Sequence, residues 1–346
     1  MKFSSINNFD LIRLFAAVQV AISHSAIHFK YESIFVDLLA IFPGVPIFFF
    51  ISGFLIFGSY EKSLNNESPL INFYTKRFLR LYPALWVCIF VSVITLFISG
   101  YLSTVEFSLS DLSIWLIANS TFFQFYNPDF LRGYGVGVIN GSLWTIAVEL
   151  QFYFLTPILF ILLRKNLIIV LILFFALILL NAINTNLNLR ANIIEKLISV
   201  SFVPWLYMFI LGALTYKFQQ FLSYLSKIPL VLLLVLYLFI TYFTTHSFES
   251  GNTINFISYL SLVTVVMKLA ISNPQLSDNL IKRNDISYGV YIYHMPVVNF
   301  IMVIGHEGGN GLALALISTI IIAVLSWFIV ERPILKVKRN QLRKNY

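Results

Sequence analysis

The stretch Leu167-Ile168-Ile169-Val170-Leu171-Ile172-Leu173-Phe174-Phe175-Ala176-Leu177-Ile178-Leu179-Leu180 runs for fourteen residues without a polar side chain. It shows no alternation with a period of two, so it lacks the pattern of a membrane barrel strand. In hydrocarbon the backbone groups must be satisfied within the segment, which a helix achieves alone. A helix needs about 20 mainly apolar residues to cross a bilayer, and apolar runs recur from one end of the 346-residue chain to the other. Composition agrees: 59% of the residues are hydrophobic and 11% charged, against roughly 25% charged in soluble domains. The expected fold class is all-α, a polytopic membrane protein with about ten transmembrane helices.

Working outward from that run, spans are expected near 11–29, 34–57, 78–99, 142–163, 166–183, 198–217, 228–245, 253–271, 286–304 and 311–330. The shorter apolar stretch Leu112–Phe125 follows a Ser/Asp-rich turn and reads as a re-entrant or interfacial helix. Lys and Arg accumulate on the cytoplasmic side of membranes. With the N-terminus inside, eighteen of the 23 Lys and Arg residues, Lys2 among them, fall in inner segments. Lys30, Arg132, Arg190 and Lys196 fall outside, and Arg13 lies within the first span. Both termini are therefore expected in the cytoplasm. The net charge of +8 follows from this topology and from anionic inner-leaflet lipid, so nucleic acid is not expected as a partner. The chain reads as one membrane domain, 1–335, followed by a basic cytoplasmic tail, 336–346. The first apolar segment contains Asp10, Arg13 and His24 and is followed by no small-residue cleavage site, so it reads as a retained helix rather than a signal peptide. Cys88 is the single cysteine, which excludes an intramolecular disulfide and a cysteine-based metal cluster.

Ionisable side chains inside spans are costly and mark functional sites. Arg13 and His24 are eleven residues apart, which on a helix brings them within about 20° of one face and about 16 Å apart in depth. His24 suits general-base work because imidazole gains and loses a proton near neutrality; the bland alternative is a packing histidine. His28 lies one turn on, so a His-x3-His pair is the alternative, but no cysteine is near to complete it and no metal is expected. Glu149, in Ser142-Leu143-Trp144-Thr145-Ile146-Ala147-Val148-Glu149-Leu150-Gln151-Phe152-Tyr153-Phe154, sits about two turns into its span, at a depth similar to His24. It either supports the imidazolium or bonds Thr145 or Tyr153 one turn away. Phe73-Tyr74-Thr75-Lys76-Arg77-Phe78-Leu79-Arg80-Leu81-Tyr82-Pro83 sets cations at an inner mouth, where they serve either phosphate binding or simple positive-inside anchoring. Tyr291-Ile292-Tyr293-His294-Met295-Pro296 adds a mid-span histidine beside a proline kink, with helix packing as the alternative.

Together these segments resemble the acyltransferase-3 family of membrane acyltransferases, which includes bacterial O-antigen and exopolysaccharide O-acetyltransferases. The resemblance runs from Phe9 to Pro333. It rests on the Arg-x10-His pattern of Arg13 and His24, on Gly44-Val45-Pro46-Ile47-Phe48-Phe49-Phe50-Ile51-Ser52-Gly53-Phe54-Leu55, on Phe73–Pro83, on Ser142–Tyr153, on the element ending at Pro296, and on Glu331-Arg332-Pro333. Two positions depart from the family pattern: Pro46 stands where an Asp is common, and Leu150 where a second acid is common. The resemblance implies transfer of an acyl group, most often acetyl, from cytoplasmic acyl-CoA to a hydroxyl of a cell-surface or lipid-linked saccharide, such as lipopolysaccharide O-antigen. It implies a bacterial inner membrane and no permanently bound cofactor, acetyl-CoA being a substrate. Under it His24, Glu149 and Arg13 are the catalytic candidates, and Arg77, Arg80, Tyr82, Trp144, Tyr153 and His294 the substrate-binding ones. A transporter or flippase of a lipid-linked saccharide is the rival reading, and it lacks the repeat-related pair of broken helices seen in many transporters.

Overall fold

The computed structural model describes residues 7–186, 193–244, 254–282 and 284–336. Lys2, Arg190, Arg283 and the basic tail beyond Lys336, all of which entered the charge reading, lie outside the described residues. Among the described residues every regular element is helical. Short 3-10 turns aside, in order these are α1 (Phe9–His28), α2 (Ile34–Ala40), α3 (Gly44–Ser63), α4 (Pro69–Ile98), α5 (Leu109–Ser120), α6 (Trp144–Lys165), α7 (Leu167–Asn186) and α8 (Ile193–Ser199). There follow α9 (Leu206–Lys217), α10 (Leu222–Leu225), α11 (Leu230–Thr244), α12 (Phe256–Ile271), α13 (Leu276–Ile281), α14 (Ser287–Val303) and α15 (Gly308–Ser326), the last running into a π-helical turn, Trp327–Glu331.

The protein is a multi-pass membrane protein. Five helical stretches are long and apolar enough to cross a bilayer: Phe9–His28, Ile34–Ser63, Pro69–Ile98, Gly141–Lys165 and Gly308–Lys336. A sixth is added if Gln219–Leu225 and Leu230–Thr244, bent by 101°, count as one. The other expected spans correspond to shorter helices, among them Leu167–Ala182, Leu206–Lys217 and Phe256–Ile271. Several interruptions have local causes. Between α2 and α3, Pro43 holds extended backbone at φ −65°, ψ 120° and has no N–H to continue a helix. The 101° bend ends at Pro229, just before α11. The first part of the stretch expected to be re-entrant or interfacial lies in α5, whose capping box pairs Ser108 and Asp111; at about 1.5 Å per residue its twelve residues reach only about 18 Å.

The chain packs as two compact units. The first comprises Met1–Ala16, Leu38–Phe73 and Val148–Arg283. Here α3 lies directly on α9, and glycines allow it: a Cβ on Gly53 would stand 2.1 Å from the Phe209 carbonyl oxygen, and one on Gly212 would stand 2.2 Å from that of Phe50. Close backbone approach of this kind drives helix association in lipid, where burial of apolar surface offers little. Around the contact Phe152 stacks on Phe209 at 4.6 Å and Phe54 meets Tyr216 edge-on at 5.3 Å. The start of α1 is tied to the end of α12 by Asn8, whose Nδ2 donates to the Leu269 and Ser272 carbonyls and whose Oδ1 accepts from the Ser277 N–H.

The second unit comprises Ala17–Asp37, Tyr74–Ala147 and Asn284–Tyr346. Its centre is α14, buried from Ser287 to Asn299 and packed on α15. Phe29, Val297, Val298, Ile301 and Ala315 form an apolar cluster at one end. The irregular segment between α5 and α6 is clasped by Asn299. Its Oδ1 accepts from the Val136 N–H at 2.7 Å, and its Nδ2 donates to the carbonyls of Val138 and Ile139 at 3.0 and 2.9 Å. Gly135 passes beneath the clasp at φ +53°, and a Cβ there would stand 2.1 Å from Asn299 Oδ1.

Candidate active site

Pro296 organises the middle of α14. Lacking an N–H, it leaves the carbonyl of Ile292, four residues earlier, without its helical donor. A buried carbonyl needs a partner, and Ile292 has two: Asn140 Nδ2 donates to it at 2.8 Å and the Cys88 thiol at 3.2 Å. Ser142 donates to Asn140 Oδ1 at 2.7 Å, and Thr145 donates to Tyr291 Oη at 2.8 Å. The segment leading into α6 is thereby fastened to the middle of α14.

One residue pair stands on this frame. His294 is fully buried, with Nδ1 2.6 Å from the Tyr291 carbonyl oxygen. Its Nε2 lies 2.9 Å from His24 Nδ1, and the rings are 5.1 Å apart and tilted by 40°. His24 is partly exposed and the adjacent Ser25 is buried. Two imidazoles in direct contact inside an apolar bundle form a proton-handling pair, since one ring can take a proton while the other supplies an uncharged acceptor. Among the described residues no three His, Cys, Asp or Glu side chains gather where they could hold a metal ion.

The other expected site residues lie as follows. Glu149 accepts a hydrogen bond from Tyr153 Oη at 2.6 Å, the second of the two arrangements its position suggested. Both belong to the first unit, as does Arg13, which is partly buried. Arg80 pairs with Asp285, lies 3.6 Å from Glu331, and sits over the Tyr288 ring at 5.9 Å. Asp285 also accepts from the Ser287 N–H and hydroxyl at the start of α14, where negative charge is favourable. The guanidinium therefore joins α4 to the start of α14 and to the π-helical turn. Arg77 is partly buried one turn earlier on α4. Tyr82 stacks on Phe78 at 4.7 Å and donates to the Thr121 carbonyl at 3.0 Å. Trp144, partly exposed, opens α6.

Asn140, Asp285 and Asn299 were not singled out by sequence reasoning, although each is a polar residue bordering or inside an apolar run. Glu331 was noticed only within a motif. The proline four residues after Ile292 was the one local sign that a partner for that carbonyl had to exist.

A model of the acyltransferase-3 family, described as an acyltransferase domain, matches residues 6–331. The chain belongs to that family. It is 32% identical to nodulation protein 10 of Rhizobium leguminosarum bv. viciae, across 96% of this chain and 94% of that protein. The O-acetyl transferase of Shigella phage Sf6 is 29% identical across 95% of this chain and 96% of its own length. Peptidoglycan O-acetyltransferase OatA of Listeria monocytogenes is 33% identical over a shorter region, 34% of this chain and 19% of that protein. No solved structure shows a significant match. As a member of the acyltransferase-3 family, with an O-acetyl transferase similar to it along 95% of its length, the protein is a membrane acyltransferase.

Proposed function

We propose that this acyltransferase moves an acyl group, in the first instance acetyl, from cytoplasmic acyl-CoA to a hydroxyl of a cell-surface or lipid-linked saccharide at a bacterial inner membrane. The observation that carries the proposal is the His24–His294 pair, a base held inside a membrane acyltransferase. A saccharide acceptor is supported by the relative whose name specifies peptidoglycan. His24 takes the proton of the acceptor hydroxyl as its oxygen attacks the thioester carbonyl. The carbon–sulfur bond then breaks, and the imidazolium returns a proton to the departing thiolate. Arg13 and Glu149 enter from the sequence pattern, as a donor-side cation and as an anion that offsets charge on imidazole. Arg77 is the candidate for the donor phosphates, with Arg80 holding α4 in place one turn away. Trp144 and Tyr153 are candidates for packing against a sugar ring and Tyr82 for lining the donor path. The topology proposed with this reaction has ten spans and both termini cytoplasmic, so donor and acceptor approach from opposite faces. No permanently bound cofactor is proposed.

Mass spectrometry of cell-surface glycans tests this in cells carrying the intact protein, lacking it, or carrying His24→Gln. The expected result is an acyl mass increment only with the intact protein, with His24→Gln present in the membrane at normal levels. A glycan unmodified in every case, but less abundant at the surface when the protein is missing, would replace acyl transfer with saccharide export.

A further inference from the structure

The proton positions of the two histidines follow from a single oxygen. A carbonyl only accepts, so the 2.6 Å contact between His294 Nδ1 and the Tyr291 oxygen requires the proton to be on Nδ1. Neutral imidazole carries one N–H, and His294 Nε2 is therefore an acceptor. That acceptor lies 2.9 Å from His24 Nδ1, so His24 supplies the proton between them. His24 Nε2 is left bare, with its lone pair pointing away from its partner. The opposite assignment would require His294 to carry both protons as a cation at a fully buried position, which is far costlier than a neutral ring. The anchoring carbonyl is itself held in place, because the next one along, Ile292, is fastened by Asn140 and Cys88.

We propose that His294 is a positioning residue that fixes the tautomer of His24, leaving Nε2 as the atom that receives the acceptor's proton; this rests on the reading of His24 as the base. During transfer the acceptor O–H bond breaks toward His24 Nε2, the new O–C bond forms, the C–S bond of the thioester breaks, and the proton on Nε2 passes to the departing thiolate. The proton on His24 Nδ1 stays where it is and donates to His294 throughout. A buried neutral acceptor thus does the orienting work that a carboxylate does for histidine in many hydrolases, without the cost of burying an ion.

Two substitutions separate orientation from packing. His294→Gln can set its Oε1 where Nε2 stood and preserves an acceptor, whereas His294→Phe fills the space and offers none. Surface-glycan acylation, normalised to protein in the membrane, is expected to fall roughly a hundred- to ten-thousand-fold in His294→Phe, the range of a general-base contribution, and to be largely restored in His294→Gln. In bilayers containing the full-length protein labelled with 15N-histidine, solid-state NMR reports tautomers directly. The chain has five histidines, and the difference from His24→Gln assigns His24. A protonated Nδ1 and bare Nε2 are expected in the wild type. A wild-type His24 with its proton on Nε2 would overturn the proposal, as would normal acylation by His294→Phe or failure of His294→Gln to exceed it. Full acylation by His24→Gln would instead remove the base reading, and this proposal with it.

Discussion

Replacing Arg80 with methionine keeps most of the length of the side chain and removes the positive centre that two carboxylates share. The three side chains are 15%, 10% and 3% exposed for Arg80, Asp285 and Glu331, so water does little to screen what remains. Removing one partner of a buried pair costs about 3–5 kcal/mol, and here two anions are left facing each other, which puts Arg80→Met at the upper end. Asp285→Asn is milder, because Glu331 still balances the arginine and the amide oxygen still accepts from Ser287. Its cost is that of one charge-assisted hydrogen bond, about 1.5–3 kcal/mol. Combining the two should be less damaging than Arg80→Met alone, since an unpaired anion is removed. Equilibrium unfolding in mixed detergent and SDS micelles, followed by tryptophan fluorescence, measures all three. The reasoning fails if Arg80→Met is as stable as wild type, or if Asp285→Asn costs more than Arg80→Met. Unchanged stability with a raised KM for acetyl-CoA would instead make Arg80 a donor-binding residue.

In the first unit, Gly212→Ala forces a methyl group to within 2.2 Å of the Phe50 carbonyl oxygen; the same unfolding assay should show a loss of about 1–3 kcal/mol from overpacking. Asn299→Ala removes the clasp on the segment between α5 and α6 and should cost about 2–4 kcal/mol, at about a kcal/mol per bond. Asn299→Asp should be worse than Asn299→Ala, because a carboxylate would face the Val138 and Ile139 carbonyls without a hydrogen to offer; ranking their melting temperatures in detergent decides this.

Hydropathy located helices well because each apolar run is self-sufficient in lipid, and every expected span has a helix within it. It did not locate breaks such as the one before α3, where Pro43-Gly44 interrupts a run that is apolar on both sides. The histidine pair was half legible. His24 stood out as a titratable group in a span, and its helical spacing to Arg13 was computable. Its partner was not, because Glu149 and His294 both satisfy a depth argument, and only the packing of α1 against a helix 270 residues later distinguishes them. Arg80 was ambiguous for the same reason: a cation near a span end looks alike whether it awaits a ligand or already holds Asp285 and Glu331, which lie more than 200 residues away in sequence.

The thiol that caps the freed carbonyl in α14 makes the protein its own reporter. Cys88 is the single cysteine of the chain and is wholly buried, with its sulfur on the Ile292 oxygen. An alkylating reagent can reach it only when α14 parts from α4. The rate of maleimide incorporation therefore times the opening of the scaffold beneath His294 at this one position, without an engineered label. Read with and without acetyl-CoA, that clock would register whether adding the thioester tightens or loosens the packing around His24 and His294.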